Sequence, residues 1–550
     1  MKPAVSLPPC ILYEDEHLLV VNKPAGLNTH APGPCAGEGL YDWLKHRVPR
    51  WSSLAIIHRL DKETSGVMVF GKTPLANRSL TEQFTQRVIR KTYQLLTDRA
   101  FTQRERVVKS KIIRAGERYV SSPHGEAAET KFSLAADVKK LKRKFSDQRL
   151  RDGDDRETSH VGCYGVTAEP LTGRTHQIRV HAAESGFPIL GDTLYGGTPA
   201  PRVCLHAAEL TLHHPASGEV VTFRAPADFA ADARQALRAA LIEPELTDAF
   251  RLIHGASDGW SGWYLEQLAN FLLSQSEREL TVAQRDYLKR LPGVTGVYHK
   301  TLNRQVRRAS VTEVSPQLVL GKATPERITI RENGLQFELS FSEGYSVGLF
   351  LDQRDNRRRL QTGHIAADFR LQTSDSKLEV LNAFAYTCAF SVCAAAAGAR
   401  TTSLDLSKKY LDWGRQNFVL NGLDPAAHDF IYGDAFDWLR RLARKARLFD
   451  VVVLDPPTFS QSKEQGVFRA EKDYGRLVSL ALPLLRPGGV LLASTNAADW
   501  PPEKFLATLE EPIRVARRQI LQRHYAPQPP DFPVSREEPA YLKTVWLRIA

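Results

Sequence analysis

The sequence predicts a multidomain protein that ends in a doubly wound, Rossmann-like α/β domain. The chain has 550 residues, which is more than one domain usually holds and suggests three or four. From Ile328 onward, strand-like runs alternate with helical segments, as in a parallel sheet covered by helices. Alternating runs at 265–274 and 294–299 predict strands of a smaller α+β unit before it. We expect domains at residues 1–240, 245–325 and 326–550.

The charge of the chain favours a nucleic-acid partner. Lys and Arg exceed Asp and Glu by 12, and the isoelectric point is near 9.3. Basic proteins attract RNA phosphates, although many of them bind no nucleic acid. Six cysteines occur without a Cys-x-x-Cys pair, which disfavours a zinc site and predicts a reducing, cytoplasmic setting and no metal. No apolar run reaches the ~20 residues of a membrane span, so we expect no membrane partner.

The most informative stretch runs from His58 to Gly66 and reads His-Arg-Leu-Asp-Lys-Glu-Thr-Ser-Gly. Its acid, Asp61, lies between basic residues and a small turn, directly after the apolar run 54–57. An Asp in such a loop usually caps a turn. The small turn residues would also let the backbone come close to a substrate. Taken alone, the string leaves both a structural and a catalytic role open for this acid.

Four further motifs accompany this loop in the first half of the chain. They are Lys-Pro-Ala-Gly at 23–26 with its strand-like lead at 11–22, Lys-Thr-Tyr at 91–93, Leu-Thr-Gly-Arg-Thr-His-Gln-Ile-Arg-Val-His at 171–181, and Gly-Asp-Thr-Leu-Tyr-Gly at 191–196. The five motifs, in this order, resemble the RluA family of RNA pseudouridine synthases. The resemblance ends near Phe229 and implies an α+β domain built on a mixed or antiparallel sheet.

The resemblance assigns roles to residues of this sequence. It implies that Asp61 is the catalytic nucleophile, that Tyr93 packs on the target base and that Arg179 pairs with the acid. The reaction needs a carboxylate that stays ionised in a dry pocket, where burial alone would raise its pKa. We expect Arg179 to oppose this shift through a bidentate, charge-assisted pair. No metal or organic cofactor is expected in this half. RNA contacts are expected at Arg59, Arg174 and His176.

A charged insert separates the tyrosine motif from the second arginine motif. Residues 139–144 are almost all basic, and residues 152–157 are mostly acidic. A solvated, mobile loop and a contact with RNA phosphates beside the active site both fit this composition. The sequence leaves both interpretations open.

Three acids in the last part of the chain each follow a strand-like run. Asp405 follows the run 401–404, Asp434 opens Asp-Ala-Phe, and Asp455 follows the buried run 449–454 and opens Asp-Pro-Pro. Ligands of open α/β sheets bind at the carboxyl ends of parallel strands, where an acid can hold ribose hydroxyls. The three acids therefore predict one ligand site at this edge of the sheet.

This half resembles class I S-adenosylmethionine-dependent methyltransferases, closest to the RlmI and RlmK group. The string Gly-Leu-Phe-Leu-Asp-Gln-Arg-Asp-Asn-Arg at 348–357 is typical of that group, and 250–264 resembles its small middle domain. The resemblance implies S-adenosylmethionine as cofactor, with Asp405 at the ribose, Asp434 at the adenine and Asp455 near the methyl donor. Arg354 is expected at the methionine carboxylate. Further cofactor contacts are expected at Asn382 and Phe384, and RNA contacts at Thr458 and Asn496.

Two positions depart from the group's pattern. Cys388 stands where the first cofactor loop normally has a glycine for close backbone approach. In addition, methylation of cytosine at C5 needs a thiol that adds to C6, and no cysteine follows Cys393. The expected position reads Ser494-Thr495-Asn496. The pattern is closer to the RlmK type, which methylates guanine at N7, an atom whose lone pair needs only positioning.

The sequence thus predicts a bifunctional RNA-modifying enzyme, a uridine isomerase fused to a base methyltransferase. Large-subunit ribosomal RNA is the expected partner, and tRNA is an alternative. A second interpretation makes one half catalytic and the other an RNA-binding module. A third makes the methyltransferase half a structural platform without a ligand.

Overall fold

The computed structural model describes residues 7–135, 163–302, 315–344, 346–371, 377–462 and 466–550. The charged insert at 139–157 lies outside the described residues. Within the described ranges, no helix combines the length and the apolar character that crossing a membrane requires.

The N-terminal part is built on one sheet of eleven strands. Along the sheet the order is β1-β2-β4-β10-β5-β9-β8-β6-β7, with β3 paired to β4 and β11 paired to β10. Most neighbours are antiparallel, but β10 and β4 run parallel. The strands are β1 (Ile11–Glu14), β2 (Leu18–Lys23), β3 (Ala55–Ile56), β4 (Ser65–Gly71), β5 (Arg90–Thr97), β6 (Glu105–Ala115), β7 (Arg118–Ser121), β8 (Glu126–Leu134), β9 (Tyr164–Pro170), β10 (Leu205–His213) and β11 (Val220–Arg224). This mixed, largely antiparallel sheet confirms the predicted α+β class.

In the described part of this domain, four helices accompany the sheet, and local sequence fixes two of their starts. They are α1 (Leu40–Lys45), α2 (Pro74–Thr85), α3 (Gln177–Glu184) and α4 (Ala233–Leu241). Thr73 caps α2 by accepting the Ala76 N–H, and Pro74 supplies a first residue that needs no hydrogen-bond partner. Asp232 caps α4 in the same way.

A five-stranded sheet follows, with one helix among the described residues 249–302 and 315–321. It consists of β12 (Ala249–His254), β13 (Trp263–Leu268), β14 (Phe271–Ser276), α5 (Val282–Arg290), β15 (Gly296–Thr301) and β16 (Gln317–Gly321). Helix α5 crosses over between β14 and β15, which pair in parallel. It begins with a capping box, in which Thr281 and Gln284 satisfy each other's backbone N–H. The predicted small α+β unit is therefore present.

The C-terminal part is a seven-stranded sheet in the order β23-β22-β21-β24-β27-β29-β28. The first five strands are parallel, and β29 is antiparallel to both of its neighbours. Apolar clusters cover both faces of this sheet, which confirms the doubly wound class. The strands are β21 (Glu379–Ala383), β22 (Arg400–Asp405), β23 (Asp429–Tyr432), β24 (Phe449–Leu454), β27 (Leu485–Thr495), β28 (Ile520–Ala526) and β29 (Lys543–Ile549).

Helices and three short hairpins complete this part. The hairpins pair β17 (Ile328–Glu332) with β18 (Leu335–Leu339), β19 (His364–Ala366) with β20 (Phe369–Arg370), and β25 (Phe459–Ser462) with β26 (Gly466–Arg469). The helices are α6 (Arg354–Thr362), α7 (Ala389–Ala396), α8 (Lys408–Leu420), α9 (Ala435–Arg444), α10 (Ala470–Ala481) and α11 (Pro502–Val515). Helices α7 to α9 each follow a parallel strand, so they alternate with β21 to β24 as the sequence predicted.

Candidate active sites

The first candidate site lies where the loop 58–64 enters β4. The chain bends here because Gly66 has a left-handed φ of 121° and lies against β10. A Cβ atom at Gly66 would stand 2.2 Å from the Ala207 carbonyl oxygen, so only glycine fits. This close approach fixes the end of the loop and places Asp61 opposite the start of α3.

Asp61 lies among charged groups at the floor of this site. Its carboxylate is 23% exposed, so a substrate can reach it. The Oδ2 atom is 3.8 Å from Arg179 Nη1 and 3.9 Å from His176 Nε2. Burial raises the pKa of Asp61, and Glu63 adds to that rise, while His176, Arg179 and Lys23 oppose it. The site thus combines a buried acid with neighbouring groups that oppose the effect of burial on its pKa.

The bidentate partner of Arg179 is Asp192, and not Asp61 as predicted. Arg179 Nε and Nη2 each donate to one Asp192 oxygen at 2.7 Å. Both side chains are almost fully buried, at 4% and 1% exposure. The remaining nitrogen, Nη1, faces Asp61 and lies 3.5 Å from Glu63 Oε2. Asp192 therefore holds Arg179 in place, with Nη1 of the arginine directed towards Asp61.

His176, predicted as an RNA contact, lies beside Asp61, with 3.9 Å between its Nε2 and the Asp61 Oδ2. It has a left-handed φ of 56°, directly before α3. Its Nδ1 is 2.8 Å from the Tyr195 hydroxyl, and its Nε2 is 3.1 Å from Arg179 Nη1. Because that nitrogen donates, Nε2 accepts and the imidazole is neutral. Burial lowers the pKa of His176, which agrees with this state.

The other predicted residues of this half have different surroundings. Tyr93 is half-buried on β5, opposite Ala207 of β10. Arg59 is exposed next to the acid. Arg174 forms an ion pair with Glu126, and its Nε donates to the Ala127 carbonyl oxygen at 3.2 Å. Arg174 is thus tied to β8.

The second candidate site is a cavity of about 530 Å³ at the carboxyl ends of β21 to β24. Six of the predicted residues line it: Phe384, Asp405, Asp434, Asp455, Thr458 and Asn496. The three acids follow three different parallel strands, as expected for a ligand site of an open α/β sheet. The wall is mixed, with apolar and aromatic groups beside the carboxylates.

The three acids are held in three different ways. Asp405 accepts the backbone N–H groups of Tyr386 and Ser407, each at 2.8 Å, and burial raises its pKa. Asp434 caps α9 through Oδ1. Burial, and then the charge of Asp352, raise the pKa of Asp455 to about 7. Backbone N–H groups therefore fix Asp405, and the start of α9 fixes Asp434. The negative charge of Asp352 disfavours the ionised form of Asp455.

Comparisons with known proteins assign both parts. The family described as RNA pseudouridylate synthase matches residues 17–184, and the family described as S-adenosylmethionine-dependent methyltransferase matches 280–548. A ribosomal RNA large subunit methyltransferase of Deinococcus radiodurans is 32% identical over 333 residues, covering 58% of this chain and 78% of that protein. The ribosomal RNA large subunit methyltransferase I of Klebsiella pneumoniae is 34% identical over 324 residues, covering 57% and 77%.

The chain belongs to the ribosomal RNA large subunit methyltransferase family. Its N-terminal part is an RNA pseudouridylate synthase domain, fused to the S-adenosylmethionine-dependent methyltransferase domain. A ribosomal RNA large subunit methyltransferase K/L of a Psychrobacter species is 43% identical over 171 residues, which are 30% of this chain and 20% of that protein. The predicted family resemblance is confirmed for both halves, and both halves are enzyme domains.

Two predicted cofactor residues of the methyltransferase domain do not line the cavity. Both terminal nitrogens of Arg354 donate hydrogen bonds to the Asp531 carboxylate, and this ion pair is buried. Asn382 is 1% exposed, and its Nδ2 donates to Ser391 Oγ at 3.0 Å. Among the described residues, two arginines line the cavity, Arg357 and Arg476. Glu332 holds Arg357 by two hydrogen bonds of 2.6 and 2.7 Å.

The first cofactor loop, residues 384–389, contains no glycine. Phe384, Tyr386 and Cys388 all have left-handed φ values, between 49° and 63°. The Cys388 thiol points into the core, where a Cβ atom on Gly414 of α8 would stand 2.3 Å from its sulfur. Glycine at 414 thus makes the room that a cysteine at 388 requires. Ala385, Thr387 and Ala389 of this loop remain at the cavity wall.

Several residues with a part in these sites were not predicted. In the synthase domain, Lys23 Nζ donates to the carbonyl oxygens of Pro24, Leu27 and Lys62, which fixes the loop beside the acid. In the methyltransferase domain, the Tyr474 hydroxyl accepts the Ser494 N–H and lies 2.8 Å from the Leu454 carbonyl, joining β24 to β27. Lys23 and Asp192 lie in motifs that the sequence made visible, whereas nothing in the sequence pointed to Tyr474.

Proposed function

We propose that this chain modifies RNA twice, by isomerising uridine to pseudouridine in its first domain and by methylating a base in its last. The observation that carries the proposal is the pairing of two sites in one chain. One is a reachable acid faced by a fixed arginine, and the other is a cavity edged by three strand-end acids. The domain limits that go with it are 1–240, 245–325 and 326–550. The middle domain shapes the RNA cleft.

In the first reaction, Asp61 acts as the nucleophile on the flipped uridine, at the sugar or at the base. Arg179 keeps the carboxylate ionised as the site closes over the substrate. Tyr93 stacks on the base from β5. Arg59, Arg174 and His176 contact the RNA around it. The isomerisation is redox-neutral and Asp61 supplies its nucleophile, so we propose no metal or organic cofactor for this half.

The test replaces Asp61 by its amide. Asp61→Asn keeps the shape of the side chain but removes the attacking charge, so the full chain should fold, bind RNA and form no pseudouridine. Glu209→Gln is the control, because Glu209 pairs with the exposed Arg224 on the surface of the same domain, away from Asp61. It should retain activity within a few-fold. Wild-type levels of pseudouridine from the purified Asp61→Asn chain would remove Asp61 from the mechanism.

In the second reaction, S-adenosylmethionine supplies the methyl group when bound in the cavity. Asp405 would hold the ribose hydroxyls, because backbone donors already fix its orientation. Asp434 and Phe384 would border the adenine, and Asp455 would lie near the transferred group. The cavity fits such a molecule because carboxylates for a ribose and apolar groups for an adenine stand on one wall.

The target atom we propose is guanine N7. Transfer to cytosine C5 requires a thiolate, and both cysteines of this domain are buried away from the cavity wall. Burial raises the pKa of Cys388 to about 12 and raises the pKa of Cys393 as well. Thr458 and Asn496 are hydrogen-bonded at 2.6 Å on the cavity wall and can contact the base edge. N7 already carries an in-plane lone pair and needs only positioning.

Large-subunit ribosomal RNA is the proposed substrate, because the relatives are named for that molecule. The full chain is incubated with methyl-labelled cofactor and with ribosomal RNA or tRNA, and the RNA is digested to nucleosides. Label in 7-methylguanosine from ribosomal RNA supports the proposal. Label mainly in 5-methylcytidine would overturn the N7 assignment, and modification of tRNA alone would overturn the choice of RNA. Activity in only one half would leave the other as an RNA-binding module.

A further inference from the structure

Helix α1 of the synthase domain packs on helix α6 of the methyltransferase domain. The indole N–H of Trp43 donates to Asp355 Oδ2 at 3.0 Å, and each of these residues is 3% exposed. The Arg358 guanidinium donates to the backbone carbonyl oxygens of His46, at 3.0 Å, and of Arg47. These carbonyls lie just past the last turn of α1, where helix carbonyls lack partners within the helix. Arg358 of the methyltransferase domain thus caps the C-terminal end of α1 in the synthase domain.

A second set of contacts surrounds this junction. Arg359 donates to Glu38 at 2.9 Å, and Glu38 also accepts from His46 Nδ1 at 2.8 Å. Glu38, His46 and His524 lie close enough to share a metal ion. However, the Arg359 guanidinium already balances the carboxylate charge and would repel a cation. The cluster is therefore better explained as an ion-paired contact that fixes the angle between the two domains.

Helix α6 leads directly into the methyltransferase cavity. Gln353, the residue before α6, lines the cavity, and its Nε2 donates to Ser494 Oγ at 2.7 Å and to Asp455 Oδ2 at 3.3 Å. Its Oε1 accepts from Asn356 in the first turn of α6 at 2.7 Å. The position of α6 therefore sets where Gln353 meets Asp455.

The other side of α1 is tied to the catalytic loop of the synthase. The backbone N–H of Tyr41 donates to the Thr29 carbonyl oxygen at 2.9 Å. The Thr29 hydroxyl donates to the carbonyl oxygen of Leu60 at 2.8 Å, and Leu60 is the residue before Asp61. Helix α1 is thus linked to the synthase loop through Thr29 and to the methyltransferase cavity through α6.

We propose that α1 is a positioning element of the methyltransferase site, with Trp43 and Arg358 as the positioning residues that act through α6 and Gln353. The inference rests on the proposed cofactor site, but it does not depend on which RNA or which base is methylated. Its physical basis is that a buried hydrogen bond between the domains can be broken only at a cost, so α6 follows α1. Methyl transfer would then depend on a domain that carries a different activity.

The charge on Asp455 offers a readout that a merely structural role would not move. Asp352, Arg357 and Tyr474 face this carboxyl group together with its two hydrogen-bond donors. Burial and Asp352 raise its pKa, whereas Arg357 and the bonds from Ser494 and Gln353 lower it. If Gln353 moves away, the pKa of Asp455 rises further, and the carboxylate forms only at higher pH.

The experiment compares two variants of α1 in the full chain. Trp43→Phe keeps an aromatic ring but removes the N–H that Asp355 accepts. Tyr41→Phe is the matched control, because the Tyr41 hydroxyl donates to Leu54 inside the synthase domain at 2.9 Å. Calorimetry measures S-adenosylmethionine affinity, and methylation is followed against pH. Trp43→Phe should weaken affinity about five- to tenfold, the size of one lost buried hydrogen bond, and shift the pH midpoint of methylation upward. Tyr41→Phe should change neither.

Wild-type affinity and an unshifted pH midpoint for Trp43→Phe would overturn the inference. Arg358→Lys is a second variant in case Trp43→Phe fails to fold. It keeps the positive charge but can cap fewer carbonyls, and we expect a smaller change in the same direction, about threefold. An unchanged Arg358→Lys chain would then overturn it. If the wild type binds the cofactor but methylates no tested RNA, the proposed target has failed, and the affinity comparison still decides this inference. A wild type that binds no cofactor would overturn both.

Discussion

The ion pair between Arg179 and Asp192 should matter more for the synthase domain than its distance from the reacting atom suggests. Asp192→Asn is the change that tests it. The amide keeps the shape of the side chain and one acceptor oxygen, but it loses the negative charge. Arg179 would then remain 4% exposed without its bidentate partner. Its guanidinium would be free to turn towards Asp61 and Glu63, which already lie 3.8 and 3.5 Å away.

The expected magnitude follows from the burial of both partners. Removing one partner of a buried ion pair costs about 3–5 kcal/mol. Because the amide introduced by Asp192→Asn keeps one acceptor oxygen for Arg179, we expect a cost of about 3 kcal/mol here. At 1.36 kcal/mol for each factor of ten, that cost increases local opening about 150-fold. The rate of pseudouridine formation should also fall, by about 100-fold, because the arginine no longer has a fixed orientation towards the acid.

Hydrogen–deuterium exchange of the α3 amides measures the local opening without assuming that the whole chain unfolds in one step. Glu209→Gln is the control, because Glu209 pairs with Arg224 at the same 2.7 Å on the surface of the same domain, with side chains 27% and 71% exposed. Such a pair is worth about 0–1 kcal/mol. If Asp192→Asn exchanged no faster than Glu209→Gln and kept wild-type activity, the argument from the buried pair would be refuted.

Two further predictions concern the methyltransferase domain. Asp405→Ala in the full chain should weaken S-adenosylmethionine binding about 10- to 100-fold in calorimetry, because one charge-assisted contact to a ribose hydroxyl is worth about 1.5–3 kcal/mol. Unchanged affinity would show that this acid only caps the loop. Gly414→Ala should destabilise the domain, since the new methyl group would stand 2.3 Å from the Cys388 sulfur. Adding Cys388→Gly should restore the melting temperature of the Gly414→Ala chain. A double variant no more stable than the single one would contradict the packing argument.

Much of the fold and part of each site could be predicted from the sequence. The three acids Asp405, Asp434 and Asp455 were placed correctly at the cavity because strand ends in a parallel sheet converge, whatever the helices do. The loop around Asp61 was found because a motif fixes its backbone. The bidentate partner of Arg179 was predicted wrongly, because a sequence shows which charges a domain contains and not which acid lies nearest in three dimensions.

The wrong placement of Arg354 has a simpler physical reason, which lies in the helix that begins there. Residues 353 and 357 are four apart and share one side of α6, so Gln353 and Arg357 both reach the cavity. Arg354 is turned about a quarter of a revolution away and meets Asp531 instead.

Three other charged residues of α6, one inside the string and two directly after it, reach the synthase domain. Asp355, Arg358 and Arg359 lie on further sides of α6 and reach α1 and the residues beside it. A single helical string thus serves a cofactor cavity on one side and a contact between two enzyme domains on another. From the sequence, only Arg354 of the string was assigned to the cofactor. In the geometry, Arg354 and Arg357 pair with acids of the methyltransferase domain itself. Asp355, Arg358 and Arg359 contact the synthase domain, and this is why we expect α1 to influence methyl transfer.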